Sequence, residues 1–499
     1  MPSDRAIGTR PWCRPIDPVT LSLFRAAFGG LMCADALRCA VQAERLFPAW
    51  EFRPPPLPLT WLDNLPAVPA GPCLLMAAMA AACIAVGYGT RVAGTVFAAM
   101  YALVFLWDPT QFNNHHYLIV LLAGWIAILG LNRDLSVDAW RNPQLQREPT
   151  PWWHLGILLF HIALVYGFGA VNKFNADWLR GEPLSLWLSV EQHRPLIGPW
   201  LAHPSARFVF AYGGLLFDAV IVPLLCWPRT RAAALALTAV FHLTNSVLFQ
   251  IGPFPWLMLA ANVLFLDRAA VRAALPRWLG RFVAAPIPVN GAVSPMRAHV
   301  FAAVSLYIAM HLLLPFRALW LSDNPEWTEE GKNFSWRMML SHKDTFVGIL
   351  VVDLHDGRAW EVDPREYLSR RQLRGKGVWG NPRHLAAFAR KLRRDALQQG
   401  FRDPFVKVDA VASLNGRPYQ YLVDPNVDLS QADQPFWSLP DWVVPLVPEQ
   451  PIGDYSFLDP RVKHERVMGV IQGHRASVDS SRGMVPTTSD VAHIDARRE

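Results

Sequence analysis

The chain has 499 residues, 52% of them hydrophobic, with 21 Trp, 27 Phe, a mean hydropathy of +0.17 and a formal net charge of +7. That is more apolar mass than a soluble protein readily covers, which makes this an integral membrane protein. The basic residues are arginines scattered between apolar runs rather than a basic stripe, which excludes nucleic acid as the partner and leaves membrane lipid.

Residues 1–17 form a polar cytoplasmic leader with Arg5, Arg10 and Arg14, and no small-residue cleavage site follows its first apolar run. Apolar segments then lie at about 18–40, 70–88, 92–107, 116–131, 152–171, 206–227, 232–250, 252–266 and 298–316. They predict a membrane all-α domain over 18–316 with eight or nine transmembrane segments. Several are shorter than the roughly 20 residues that cross a bilayer, so some pieces are candidates for re-entrant segments. All six cysteines precede residue 227 and no CxxC pair occurs, so neither a zinc knuckle nor a disulfide-stapled ectodomain is indicated.

Arginines orient the segments. Those of the leader, Arg91, the Arg133–Arg147 group, Arg229 with Arg231, and the group from Arg268 to Arg281 mark alternate connections as cytoplasmic. The N-terminus is then inside and everything after Pro315 outside. The loop around Asn113–His116 and the Lys173 end of its helix fall together on the outer face.

Lys173 closes the apolar run opened by Trp152-Trp153. A lysine there is either an anchor whose ammonium snorkels to the interface or a reagent. Gly167 and Gly169 thin the preceding turn so that a backbone or flat ligand can approach. An amine shielded from water at that point is less easily charged, which makes it a usable base. On the 232–250 segment, Asn245, Ser246 and Phe249 share a helical face with His242, and a polar group at that depth faces an interior.

After Phe316 charges become frequent. Phe346–Leu354 and Phe405–Ser413 alternate, Asp356-Gly357 and Asn415-Gly416 are hairpin dipeptides, and 384–399 has helical spacing ending before Gly400. Residues 317–450 are therefore a soluble, mainly-β (α+β) extracytoplasmic domain with one amphipathic helix. From 451 to 499 the chain is polar and aperiodic, and a disordered tail is expected.

Longer strings carry a resemblance. GFGAVNKFNADWLRG, WDPTQFNNHHYL at 107–118 and FHLTNSVLFQIGPFPWLML at 241–259 are similar, in that order, to the lysine segment, the asparagine-histidine loop and the histidine helix of the vitamin K-dependent gamma-carboxylase family. FSWRMMLSH at 334–342, DGRAWEVDP at 356–364, and RPYQYLVDPNVDL followed by WVVPL at 417–446 continue the family's order. The likeness runs from about residue 16 to 447.

The resemblance implies a membrane gamma-glutamyl carboxylase, a carboxy-lyase with hydroquinone epoxidase activity. Such an enzyme couples oxygenation of vitamin K hydroquinone by O2 to proton removal from a glutamate γ-carbon, which CO2 then captures. The quinone leaves as its 2,3-epoxide, with no metal and no biotin. It further implies that Lys173 deprotonates the hydroquinone and that His115 and Asn114 hydrogen-bond an oxyanion or the reacting carboxylate. His242 is catalytic beside them, while Met338, Met339 and Asn245 contact the quinone. The implied partners are reduced vitamin K and a glutamate-containing peptide or protein. Alanine- and arginine-rich composition fits a bacterial member, in the inner membrane.

Two departures stand out: Asn172 replaces a second lysine of vertebrate members, and no cysteine follows Cys226 to bridge the two domains. The chain also stops soon after WVVPL, without the longer tail of animal enzymes. Two other classes explain less. A histidine-box metalloenzyme wants HxxxH or HxxHH spacing, which His115, His116, His154, His161 and His242 do not provide. A transporter or receptor-like module without chemistry would account for polar residues along a path, but no internal repeat is visible. A hydroquinone epoxidase without a natural glutamate substrate is a further alternative.

Overall fold

All nine apolar runs are helical in the computed structural model, which describes residues 11–56, 59, 65–147, 149–249, 251–276, 279, 282, 296–373, 377–448 and 450–482. The leader up to residue 10, most of the arginine-bearing stretch at 277–295 and the last residues from 483 lie outside that description. A helix is the natural form for such runs, because it satisfies its own backbone polar groups in an apolar medium.

Helix α1 (Val19–Val41) crosses α2 (Ala70–Val86) closely: a Cβ on Gly29 would stand 2.3 Å from the Ala85 nitrogen. Helices α3 (Thr90–Phe105) and α4 (Asn114–Leu129) continue the layer, with Gly94 against Ala127. Arg25, buried on α1, donates to the carbonyls of Ile84, Ala85 and Leu135, and so satisfies the open end of α2.

Helix α5 (Trp152–Lys173) packs on α7 (Ala206–Cys226), with the short α6 (Leu184–Val190) between them in sequence. Helix α8 (Arg231–Leu248) and α9 (Phe254–Ala261) follow, and a 3-10 turn at Asn262–Phe265 leads through a 103° bend into α10 (Arg268–Ala274). Helix α11 (Ala298–Leu313) lies at the periphery, where His311 is its buried residue. Polar contacts hold it there: His311 Nε2 lies 3.0 Å from the Tyr117 hydroxyl, and Tyr307 meets His161 at 2.7 Å.

Among the described residues, five helices are long and apolar enough to cross a membrane, or six if the bent pair counts as one span. The expected eight or nine is not reached on this measure, because α2, α3 and α4 have only 17, 16 and 16 residues.

The C-terminal region is built on a four-stranded antiparallel sheet in the order β2-β1-β3-β4. Strand β1 (Lys343–Asp353) pairs along its whole length with β3 (Pro404–Leu414). Both turn signals hold: Gly357 (φ 75°) lies in the turn before β2 (Ala359–Glu361), and Asn415 (φ 52°) with Gly416 (φ 71°) opens the way to β4 (Gln420–Tyr421). Helix α12 (Pro382–Gln398) starts where Asn381 caps the nitrogens of Arg383 and His384. It buries Leu385, Phe388, Leu392 and Ala396 in one core with Val351, Val406 and Val408.

Over 456–482 the structure departs from the disordered tail expected for 451–499, and the part of that tail from 483 lies outside the described residues. A 3-10 turn at Ser456–Leu458 leads into α13 (Pro460–Arg482), and Phe457, Val467 and Ile471 pack with Val411 and Tyr419. Val467, Val470 and Ile471 hold helical spacing inside a polar sequence, and three residues suffice once the sheet offers them a surface.

Candidate active site

Tyr166, Gly169 and Lys173 stand at i, i+3 and i+7 on α5, so one face of that helix carries all three. Lys173 does not reach out to solvent. Its Nζ lies 2.6 Å from Asp218 Oδ2 on α7, with only 13% and 9% of the two side chains exposed, and 5.3 Å from the Trp178 ring. Gly169 makes this possible, since a Cβ there would fall 2.6 Å from the same carboxylate oxygen. Nothing lies within 4 Å of a Cβ built on Gly167, so of the two glycines only Gly169 is used for close approach.

His242 on α8 is buried, and its Nε2 lies 2.7 Å from the Tyr166 hydroxyl. Its Nδ1 is buried and meets no hydrogen-bond partner among the described residues. Lys173, His242, Asn245, Met338 and Met339 line one cavity of about 110 Å³, and Trp187, Phe210 and Phe249 give it aromatic walls. Ser246, expected on the same face as His242, instead donates back to the Leu243 carbonyl at 2.8 Å.

Asn114 and His115 are not in a loop, as the sequence led us to expect, but open helix α4 after Asn113. They line a second chamber, which shares Ile251, Phe254, Met338 and Met339 with the first. The Phe254 ring stands 6.3 Å from His115 and 6.3 Å from His242, so one phenylalanine separates the two histidines.

The segment carrying the methionines is held in an uncommon backbone shape. Phe334, Trp336 and Met339 have φ of 63°, 57° and 53°, which only surrounding contacts can maintain in non-glycine residues. Asn114 Nδ2 donates to the Arg337 carbonyl at 3.1 Å and Asn172 Nδ2 to that of Ser335 at 3.0 Å. The Arg337 side chain donates to Asn172 Oδ1 at 3.1 Å and to Glu326 Oε1 at 2.8 Å. In the wall of the second chamber burial favours a neutral Lys332, but Glu326 and Glu329 outweigh it and hold the amine above its usual range. His384, on the same wall, is pushed down to about 4 by burial.

The two domains meet through the residues that follow Lys173. Arg417 grips Asp177 with both terminal nitrogens, at 2.7 and 2.8 Å, and Asn415 Nδ2 adds a bond of 2.8 Å. Burial raises the Asp177 carboxyl, but Arg417 and Asn415 override it and hold it below the usual carboxylate range. Elsewhere, Gln372 Nε2 donates to the Phe52 carbonyl at 2.6 Å, and Ser369 and Arg371 bond the buried Glu51.

All the candidate residues thus fall in two adjoining chambers at one end of the helical domain. Asp218 and Tyr166 escaped the sequence reading. For Asp218 a signal existed: it is the one charged residue between Phe208 and Cys226. Among the described residues no group of three or more His, Cys, Asp or Glu side chains is placed to hold a metal ion.

Such a bundle of apolar helices, with a sheet domain packed on its polar end, defines a membrane protein whose candidate site is a partly open cavity. The HTTM domain model matches residues 13–269, and the model for the vitamin K-dependent gamma-carboxylase lumenal domain matches 296–449. The chain belongs to the vitamin K-dependent gamma-carboxylase family. No solved structure matches it.

Proposed function

We propose that the chain is a vitamin K-dependent gamma-glutamyl carboxylase that also forms the quinone epoxide, working at the outer face of a bacterial inner membrane with its N-terminus in the cytoplasm. The observation that carries this reading is the pairing of a buried amine, Lys173, with a partner-short His242 in one aromatic-walled cavity. A flat, apolar hydroquinone with a hydrocarbon tail suits such walls, and its two hydroxyls need polar partners, which Lys173 and His242 supply. When bound with O2, the hydroquinone supplies the strong base that glutamate γ-proton removal requires.

The chain's own residues then have separable tasks. Lys173 accepts a hydroquinone proton at Nζ, and Tyr166 fixes the His242 ring so that Nδ1 is free to meet an oxygen. Met338, Met339 and Asn245 hold the ring system. Asn114 and His115, in the adjoining chamber, bond the reacting carboxylate, and the Phe254–methionine wall keeps bulk water from the carbanion until CO2 captures it.

The test is incubation of purified protein in detergent with vitamin K hydroquinone, O2, bicarbonate and a glutamate-containing peptide, with epoxide and carboxylated product assayed separately. Both products are expected. Epoxide alone would leave a hydroquinone epoxidase, and neither product would remove the enzymatic reading.

A further inference from the structure

We infer that Asp218 is the positioning residue of the site: it fixes the Lys173 amine in the cavity wall and balances the charge that amine acquires on taking a proton. The inference rests on the carboxylase reading of the site, although the ion pair itself does not.

Three observations support it. The carboxylate lies 2.6 Å from Nζ, and both side chains are nearly closed to solvent. Helix α7 lies against the amine at Gly214, one turn before Asp218, where a Cβ would stand 3.7 Å from Nζ, in ordinary van der Waals contact. Gly169 makes room for the pair from α5, where a Cβ would strike the carboxylate.

A buried ion pair adds little net stability, because desolvating two charges offsets most of their attraction. Simple stability is therefore a poor reason to place the one charged residue of an apolar stretch here. The proton balance provides a better one. The pair can accept a proton only in the form with one proton missing, a neutral amine beside a carboxylate. One proton moves from a hydroquinone oxygen to Nζ, leaving an oxyanion in the cavity and an ammonium facing Asp218. Without the carboxylate, that ammonium would stand uncompensated in an apolar wall.

Two measurements on the full-length protein in detergent test this, using Asp218→Asn, which keeps the shape, and Asp218→Glu, which keeps the charge. The first is acetylation of Lys173 by acetic anhydride, followed by peptide mass spectrometry on the folded, monodisperse fraction. Released from its counter-ion, Lys173 is expected to react several-fold faster in Asp218→Asn, and near the parent rate in Asp218→Glu. The second is epoxidation, expected to fall in kcat with little change in the KM for hydroquinone in Asp218→Asn, and to be partly restored in Asp218→Glu. Unchanged labelling, or unchanged turnover in Asp218→Asn, would overturn the assignment. If the parent protein makes no epoxide, the carboxylase reading fails, and the labelling still decides whether Asp218 controls the amine.

Discussion

Asn172 and Arg337 are joined side chain to side chain at 3.1 Å, across the boundary between the helical and sheet domains, while Lys173 next in sequence turns the other way toward Asp218. The position that carries a second lysine in vertebrate members is thus occupied here by a cross-domain hydrogen-bonding residue. Asn172→Lys would set an ammonium against the Arg337 guanidinium and lose the bond to Ser335. The expected cost is about 1–3 kcal/mol, with a lower midpoint in thermal unfolding and less epoxide per folded molecule. An unchanged midpoint would mean that the strained Phe334–Met339 segment is held by its other contacts.

Lys173→Ala should abolish epoxide and carboxylated product together while leaving the protein folded. Lys173→Arg separates anchor from base, because arginine keeps the charge and can still face Asp218 but does not release its proton at working pH. A loss of at least about 100-fold in epoxidation is expected for it. Near-normal turnover in the arginine variant would sink the assignment of Lys173 as base.

His115→Ala should reduce carboxylation by about 100-fold, the scale of losing one preorganised hydrogen-bonding group. His154→Ala should leave turnover per folded molecule little changed. His154 sits near the start of α5, about 28 Å along the helix axis from Lys173 at 1.5 Å per residue. Equal losses would point to general destabilisation.

Acid should weaken the C-terminal sheet domain. His384 is held at about 4 in the folded chain, against an ordinary value of 6.5, so the unfolded chain binds the extra proton across that interval. Its contribution is fully present above pH 6.5 and is lost as pH falls toward 4, worth about 1–3 kcal/mol. Thermal unfolding followed from pH 7.5 to pH 5 should show the decline, and His384→Gln should flatten it. A parallel slope in the variant would place the acid sensitivity elsewhere.

Removing the guanidinium in Arg417→Ala leaves Asp177 buried beside Asn415 alone. The expected cost is about 2–4 kcal/mol, together with easier proteolytic separation of the outer domain from the helices. Proteolysis at the parent rate would show that the Glu51 and Gln372 contacts are enough to hold the junction.

The parts legible in the sequence were those governed by local rules. Asn415-Gly416 announced its turn because both residues must take positive φ, and the 384–399 helix announced itself by spacing and a following glycine. Lys173 stood out as a cation closing an apolar run. Asp218 was harder to weigh, because its meaning lies in a partner 45 residues away on another helix. The length of α2–α4 also worked against counting spans, since hydropathy marks an apolar helix without saying whether it crosses. The helix at Pro460–Arg482 was hidden for a related reason: its few apolar residues matter only against Val411 and Tyr419.

All six cysteines are unpaired and precede the sheet domain, while the two domains are fastened by Arg417–Asp177, Arg337–Asn172 and the contacts around Glu51. Such a seam closes by docking alone. It needs neither a thiol oxidant nor an isomerase, and no reductant can open it. The protein can therefore mature as soon as its sheet domain has folded, in whatever thiol-disulfide environment it meets.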